Sequence, residues 1–452
     1  MIQISFGSQH RKEPVKRQSR KKQNAAYGRP NTGFLAYRRP FAACGFSYFC
    51  LLTFDFCLLT CSLTFTSLFC LLSLFSVLCF AQAPSPAPYA AINRDAVSYN
   101  GPGRDGGHDL AGPEIRLGLL VPLARPRQAE GEALRHAAEM AIEEENASSL
   151  PGGRRLALVT RDESGPWGQA SAQIVHMVFD DQALALITST DGGAAHLAEQ
   201  VGNKIGVPIL TLSSDSTTTE INLPWIFRLG PTDAMQAQAF ARDIYQAKKL
   251  QRVVLLAQDD HDSRVGSDEF EKAARAMNRP APECIIVEPE NLSEDGLQTQ
   301  LQGAQAVVIW TDAATANLLV ARLGDVLPSA PIYLCRKAAQ GDWSAHGQPH
   351  CRTCNSDDAG VWTTQAPEAR SMSDQAFAQR YRQRFGAEPG IGLAEAYDAV
   401  RLLAASLRQS GPNRARLRDA LGQVSAFAGA SGVISFDHAG NDLTRTTLVQ
   451  LK

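Results

Sequence analysis

The chain has 452 residues, enough for two domains of ordinary size, and its 44% hydrophobic and 20% charged content fits a globular protein, not a disordered one. The formal net charge of −2 hides a segregation. Ten Lys or Arg precede residue 44, whereas the part after residue 83 carries 34 basic against 44 acidic residues. Such an acidic body argues against nonspecific binding to nucleic acid or to an anionic membrane surface.

Residues 1–43 are basic and polar. From Phe41 to Phe80 nearly every residue is Phe, Leu, Cys, Ser or Thr, broken by Asp55, and Ala81 and Ala83 offer the small side chains that suit signal cleavage. The block exceeds the roughly 7–15 residues of a signal-peptide core. An uncleaved membrane anchor is therefore the alternative, since about 20 apolar residues span a bilayer. A start downstream of Met1 is a third reading. Export with cleavage is favoured, which places the body in the periplasm or outside the cell. Residues 1–83 are thus a basic tail plus signal peptide or anchor. Residues 84–113, rich in Pro, Ala, Gly and Asp and without apolar periodicity, read as a flexible linker.

The body opens with a buried-strand pattern at 115–123 that Pro122 ends, followed by a helix over 130–146 with Leu134, Ala138 and Ile142 on one stripe. Strands at 155–162, 184–188 and 207–211 then alternate with helices at 169–180 and 194–204. The apolar run Trp225 to Leu229 breaks at Gly230-Pro231 and restarts at Thr232-Asp233 as a capped helix, the pattern of a chain leaving one α/β half for another. The rhythm resumes with strands at 252–257, 284–287, 306–310 and 331–334 and helices at 266–277 and 313–323. An irregular stretch at 336–358 precedes a short strand at 360–364. Helices at 374–385, 392–409 and 413–424 follow, and strands at 432–437 and 446–451 read as a hairpin-like pair. Alternation of this kind requires a parallel sheet covered on both faces.

Four segments together resemble the type I periplasmic binding proteins, which include the solute-binding subunits of branched-chain amino acid and amide ABC transporters. They are the opening strand with Val121-Pro122-Leu123 and a helix start at Gly131; Phe227-Arg228-Leu229-Gly230-Pro231-Thr232-Asp233-Ala234-Met235-Gln236, similar to the family's FRxxPxDxxQ crossover; Gly360-Val361-Trp362-Thr363-Thr364 with Pro367; and Phe427 to Asp437 with Gly440-Asn441-Asp442. The resemblance spans nearly all of 114–452. It implies two doubly wound parallel-sheet lobes joined by three hinge crossovers, with 114–232 and 370–428 in lobe one and 233–369 and 429–452 in lobe two. It also implies a small polar ligand held between the lobes and ABC permease subunits as partners. A membrane-anchored ligand-sensing receptor domain of the same fold is the alternative.

Ligands of open α/β sheets sit beyond the carboxyl ends of the strands. There Ser189, Thr190 and Asp191 precede a helix start whose free N–H groups suit an anion, although Thr190 or Asp191 also suits a simple helix cap. Thr211, Ser213 and Asp215 follow the next strand. The family's usual aromatic-Gly pair is replaced by Asp262-Ser263, and its ammonium-binding Glu by Ala359 with Asp358 beside it. These departures point away from an aliphatic α-amino acid and toward a polar or cationic ligand, though a solvated charge run is the commoner meaning of Asp259 to Asp262. Trp362 completes the candidate binding set. Cys351 and Cys354, with His346 and His350 nearby, match a zinc donor count. In an exported protein a structural disulfide, with Cys335 a candidate partner, is the preferred reading. With no GxSxG, P-loop or HExxH, and no persuasive carboxylate pair, no catalytic residue, metal or cofactor is assigned.

Overall fold

The computed structural model describes residues 98–452 except 149, 222, 289–293, 328, 341–359, 366–371, 445 and 452. Strands β1 (Glu114–Val121), β2 (Arg155–Asp162), β3 (Ala185–Thr188), β4 (Ile209–Thr211) and β5 (Ile226–Arg228) form a parallel sheet in the order β2-β1-β3-β4-β5. The helices between them are α1 (Gln128–Ala147), α2 (Trp167–Phe179), α3 (Gly192–Ile205) and the single turn α4 (Thr217–Glu220). Because the β1 side chains from Leu117 to Val121 meet cover on both faces, the strand is apolar almost throughout and does not alternate. Leu117 and Leu119 pack among Leu134, Ala138 and Leu403. Leu120, on the opposite face, joins Leu186, Ile174, Met177 and Ala198.

The second lobe begins with α5 (Asp233–Ala241), which widens by one turn over Arg242–Ala247. Its sheet contains β6 (Val253–Ala257), β7 (Glu283–Ile286), β8 (Ala306–Trp310), β9 (Ile332–Leu334) and β10 (Val361–Gln365). Past a separate two-stranded pair, β11 (Phe427–Ala428) and β12 (Val433–Ile434), the chain adds β13 (Thr447–Gln450), antiparallel to β10, for the order β13-β10-β9-β8-β6-β7. Helices α6 (His261–Ala276), α7 (Glu294–Gln300) and α8 (Ala313–Val326) belong to this lobe, whereas α9 (Met372–Phe385), α10 (Leu393–Ser410) and α11 (Arg414–Leu421) return to the first. The chain therefore passes between lobes three times: after β5, after β10 and before β13.

Capping explains why the strand ends are polar. Asp191, Thr232, Asp260 and Asp312 each follow a strand by a few residues, and each accepts an N–H from the first turn of the helix it starts. These caps satisfy orphan helix donors, and the three aspartates among them leave carboxylates along the edge where the two lobes face each other.

The first passage is fixed by Arg228, which is fully buried. Its Nη1 donates to the carbonyls of Ser213 (2.9 Å) and Asp215 (2.6 Å), Nη2 to the hydroxyls of Thr218 and Thr219 (both 2.8 Å), and Nε to Asn441 Oδ1 (3.1 Å). A buried guanidinium is tolerable only when its donors are met in this way. Gly230 then turns the chain at φ +86, a left-handed conformation that suits glycine, and its N–H donates to Asp442 Oδ2 (3.3 Å). Residues of the third passage therefore brace the first.

Three expectations need correction. The C-terminal strands are not a hairpin: β12 pairs with β11, and β13 joins the second sheet. Ala430 and Ile434, placed by sequence in lobe two, pack in the first lobe's core. The segment read as a flexible linker is pinned along that lobe from residue 99 onward. Tyr99 packs on Trp225 at 4.6 Å, Arg104 pairs with Asp419 (2.6 Å) and Arg416 with Asp109 (2.8 Å), and Leu110 N–H donates to the Pro412 carbonyl (2.8 Å). Polar pairing holds it, so apolar periodicity could not reveal it. Residues 1–97, including the apolar block, lie outside the described residues. Among the described residues no helix is long and apolar enough to cross a membrane.

Candidate functional site

Seven of the eight sequence candidates converge where the strand ends of the two lobes meet. Asp191 does both things the sequence allowed. Its Oδ1 caps α3 through Ala194 N–H (2.8 Å), while Oδ2 pairs with Arg127 Nη1 (3.0 Å). Ser189 Oγ donates toward both carboxyl oxygens of Glu163 at 2.7 Å, and Thr190 Oγ1 donates to Glu130 Oε1 (2.6 Å). Thr211 and Ser213 are buried and serve the loop itself, each accepting a backbone N–H two residues on. Asp215 Oδ1 accepts the N–H (2.9 Å) and hydroxyl (2.7 Å) of Thr217, and its Oδ2 faces His261 Nε2 (2.7 Å) and His196 Nε2 (3.2 Å).

Asp262 is the residue that crosses the gap. It stands in the first turn of α6 in the second lobe, yet Gly192 N–H, at the start of α3 in the first lobe, donates to its Oδ1 (3.0 Å). Its Oδ2 pairs with Lys337, which lies three residues beyond β9. A side-chain carboxylate thus occupies the anion position at a helix N-terminus. A Cβ on Gly192 would run into Asp262 Oδ1 and Asp215 Oδ2, so the lobes approach this closely only because residue 192 has no side chain.

Trp362 stays apart from this group. Its indole lies under Lys248 Nζ at 4.8 Å, packed against the second lobe's core, and among the described residues its partners belong to that core. Of the cysteines, Cys284 and Cys335 are free thiols, which corrects the use of Cys335 as a disulfide partner. Cys335 is buried beside the Thr311 carbonyl, and burial pushes its thiol up to about 12. Cys351, Cys354, His346, His350, Asp358 and Ala359 lie outside the described residues.

Sequence reading missed the cations and three further acids or bases. Arg127, just before α1, faces Glu130 (2.8 Å), Glu163 (3.2 Å) and Asp191 (3.0 Å). Lys337, Glu163, His196 and His261 complete the group. Glu163, Lys337 and His261 each lie within four residues of a strand's carboxyl end, a signal available from the predicted strands alone.

The electrostatics follow from burial and pairing. Burial pushes the Glu163 carboxyl up to about 8 in spite of Arg127, so at neutral pH it is held mainly as the acid. Burial works against the Lys337 ammonium, but the charges of Asp262 and Asp191 overcome it and hold its pKa above the ordinary value. Burial likewise raises Asp262, whereas Lys337 and Arg127 overcome burial at Asp191 and lower it. Hydrogen bonds to Asp215 and Glu199 raise His196 to about 9. Next to the network, a cavity of about 380 Å³ is lined by first-lobe residues, the charged Arg127, Glu163 and Asp191 together with the apolar Pro122, Ala170 and Leu197.

Two doubly wound lobes with a charged cleft at their strand ends define a two-lobed binding protein. A family model described as periplasmic binding protein matches residues 114–451, and the chain belongs to that family. It is similar to a Leu/Ile/Val-binding protein homolog 3 of Brucella melitensis, 21% identical over 340 residues that cover 73% of this chain and 88% of that one. Among solved structures it resembles a leucine-binding protein LivK of Thermotoga maritima (TM-score 0.66, 17% identity, 75% of this chain and 95% of that one). It also resembles an ABC-transporter solute-binding protein of R. palustris in complex with benzoate (TM-score 0.67, 18% identity, 75% and 93%). At these identities the solved structures establish the fold, that of the type I periplasmic binding proteins. The family's members are binding proteins, and this chain is one of them, not an enzyme.

Proposed function

We propose that the chain is an extracytoplasmic solute-binding protein whose lobes close over a small polar ligand, an amino acid, an amide or a related compound, and present the closed form to an ABC permease. The observation that carries this reading is the direct bridge from Asp262 to Gly192 N–H beside a cavity with both charged and apolar walls. Closure of one lobe on the other is the means by which such folds commit a ligand. The charge balance narrows the chemistry. With Glu163 held as the acid, Glu130, Asp191 and Asp262 face only Arg127 and Lys337 among the described residues. That surplus of negative charge supports a ligand with a positive group, carried alone or beside a carboxylate. Pro122, Ala170 and Leu197 leave room for a modest apolar body.

A thermal-shift screen with amino acids, amides, polyamines and short acids tests the reading. A ligand present at 100 times its dissociation constant stabilises by about 2.7 kcal/mol. A cationic or zwitterionic compound is expected to shift the melt, and loss of that shift in Asp262→Ala would place it in the cleft. If no compound in the panel moves the melt, the solute-binding reading fails.

A further inference from the structure

Asp215, His196 and His261 stand together for a reason that solute binding does not supply. Asp215 follows β4 and His196 lies on α3, both in the first lobe, while His261 opens α6 in the second. Their donor atoms, Asp215 Oδ2 and the two Nε2 atoms, all lie within 4.8 Å of one another. Each of the two first-lobe groups is oriented from behind. His196 Nδ1 is hydrogen-bonded to Glu199 Oε2 (2.9 Å), which fixes the ring with Nε2 toward the cluster. Glu199 is itself buried, and its second oxygen has no partner. Asp215 spends Oδ1 on Thr217, which leaves Oδ2 directed at both imidazoles. A carboxylate behind a histidine whose other nitrogen meets a second carboxylate is the arrangement that tunes metal-ligating imidazoles.

We propose that His196, Asp215 and His261 form a site for a divalent transition-metal ion of the zinc class, and that the ion latches the two lobes together. Imidazole and carboxylate donors suit such ions, and three protein donors leave a coordination position for water or a solute atom. Bonds of roughly 2.0–2.2 Å place tetrahedral donors about 3.3 Å apart. The His196–Asp215 separation of 3.2 Å already matches; His261 Nε2, 2.7 Å from Asp215 Oδ2 and within 4.8 Å of His196 Nε2, has to swing about half an ångström away from the carboxylate and closer to the other imidazole. That adjustment needs only His261 to move. It has 45% side-chain exposure, whereas Asp215 has none. Since His261 belongs to the opposite lobe, the third donor is available only when the lobes are closed. The site therefore binds the closed form in preference to the open one, and the ion shifts the population toward closure. This holds whichever solute the cleft takes.

The test uses the full chain with Cys44, Cys50, Cys57, Cys61, Cys70, Cys79, Cys284, Cys351 and Cys354 each replaced by serine and only the buried Cys335 kept, stripped with chelator, so that thiols do not supply a competing site. Zinc chloride is titrated by calorimetry, and small-angle scattering follows the radius of gyration. The expected result is one zinc per chain with a smaller radius, an affinity about 100-fold weaker in His261→Ala, and one about 10- to 100-fold weaker in Glu199→Gln, which touches no metal itself. Circular-dichroism melts check that each variant folds, and His261→Gln replaces His261→Ala if that one does not. Undiminished zinc affinity in the folded His261 variant overturns the proposal, as does the absence of binding at millimolar zinc. Binding without a change in radius overturns the latch.

Discussion

Two arginines, Arg228 and Arg127, show how differently one side chain is used in this molecule. Arg228 is sealed among neutral acceptors, two carbonyls, two hydroxyls and an amide oxygen, each aimed at a particular nitrogen. Arg127 keeps 19% of its side chain exposed and is shared by three carboxyl groups. Neutral acceptors of fixed geometry define one position and leave nothing to exchange. A surplus of carboxylates around a reachable cation can be rearranged by any newcomer that brings charge of its own. The lesson is that the hinge and the cleft, built from the same residue types at neighbouring strand ends, are separated by whether the acceptors are neutral and dry or charged and near water.

The sharpest way to break this contrast is to remove the sealed guanidinium. Arg228→Met leaves two buried carbonyls and Asn441 without their donor, and urea unfolding should show a loss of about 3–5 kcal/mol. Arg228→Lys should recover little, because a point ammonium cannot reach acceptors arranged around a planar fork. Arg127→Met should cost only about 1–2 kcal/mol while reducing the melting shift of a ligand that carries a carboxylate beside its positive group. If both variants lose the same stability, the contrast is wrong.

The next effect concerns closure. Gly192→Val places a side chain where Asp262 and Asp215 now sit. Scattering should report an opened molecule, with ligand affinity down by about tenfold or more, an energy of about 1.4 kcal/mol, and a melting temperature close to that of the parent. A smaller effect is carried by pH. The Glu163 carboxyl titrates near 8 in the fold against an ordinary value of 4.5. Its contribution is therefore fully present below about pH 4.5 and is lost as pH rises through about 8. Glu163→Gln should flatten that part of the decline, measured by urea unfolding at pH 5 and pH 8.5. The smallest change is expected for Trp362→Phe, which should alter ligand affinity by less than about 0.5 kcal/mol because its neighbours belong to the second core.

The sequence made the strand–helix alternation and the first crossover legible, since both are local: apolar runs, a Gly-Pro break and a capping Thr-Asp are all contained in a few consecutive residues. The C-terminal strands were legible as strands but not as partners. Val433 and Thr447 both follow an extended pattern, and nothing local says that the first pairs with Ala428 while the second crosses to Gln365. Within the cleft, Asp191, Asp215 and Asp262 could be found because each sits just past a strand. Arg127 and His196 could not, because an isolated cation or histidine away from a strand end has no meaning until folding supplies its acids. Trp362 entered on family likeness alone, with no geometric reason behind it, and it is the candidate that the fold leaves outside.

The bond from Arg228 to Asn441 has one further consequence, which concerns the order in which the chain is made. A ribosome completes residues 114–228 long before residue 441 exists, yet the guanidinium can be buried with all its donors met only when Asn441 arrives, and the Arg228 N–H waits for the Gly440 carbonyl (2.8 Å). A nascent first lobe must therefore keep this arginine hydrated or leave a donor unmet, either of which holds it short of its final stability. The hinge closes its own hydrogen bonds last, so the first lobe commits to its fold only once Gly440 and Asn441 have been made.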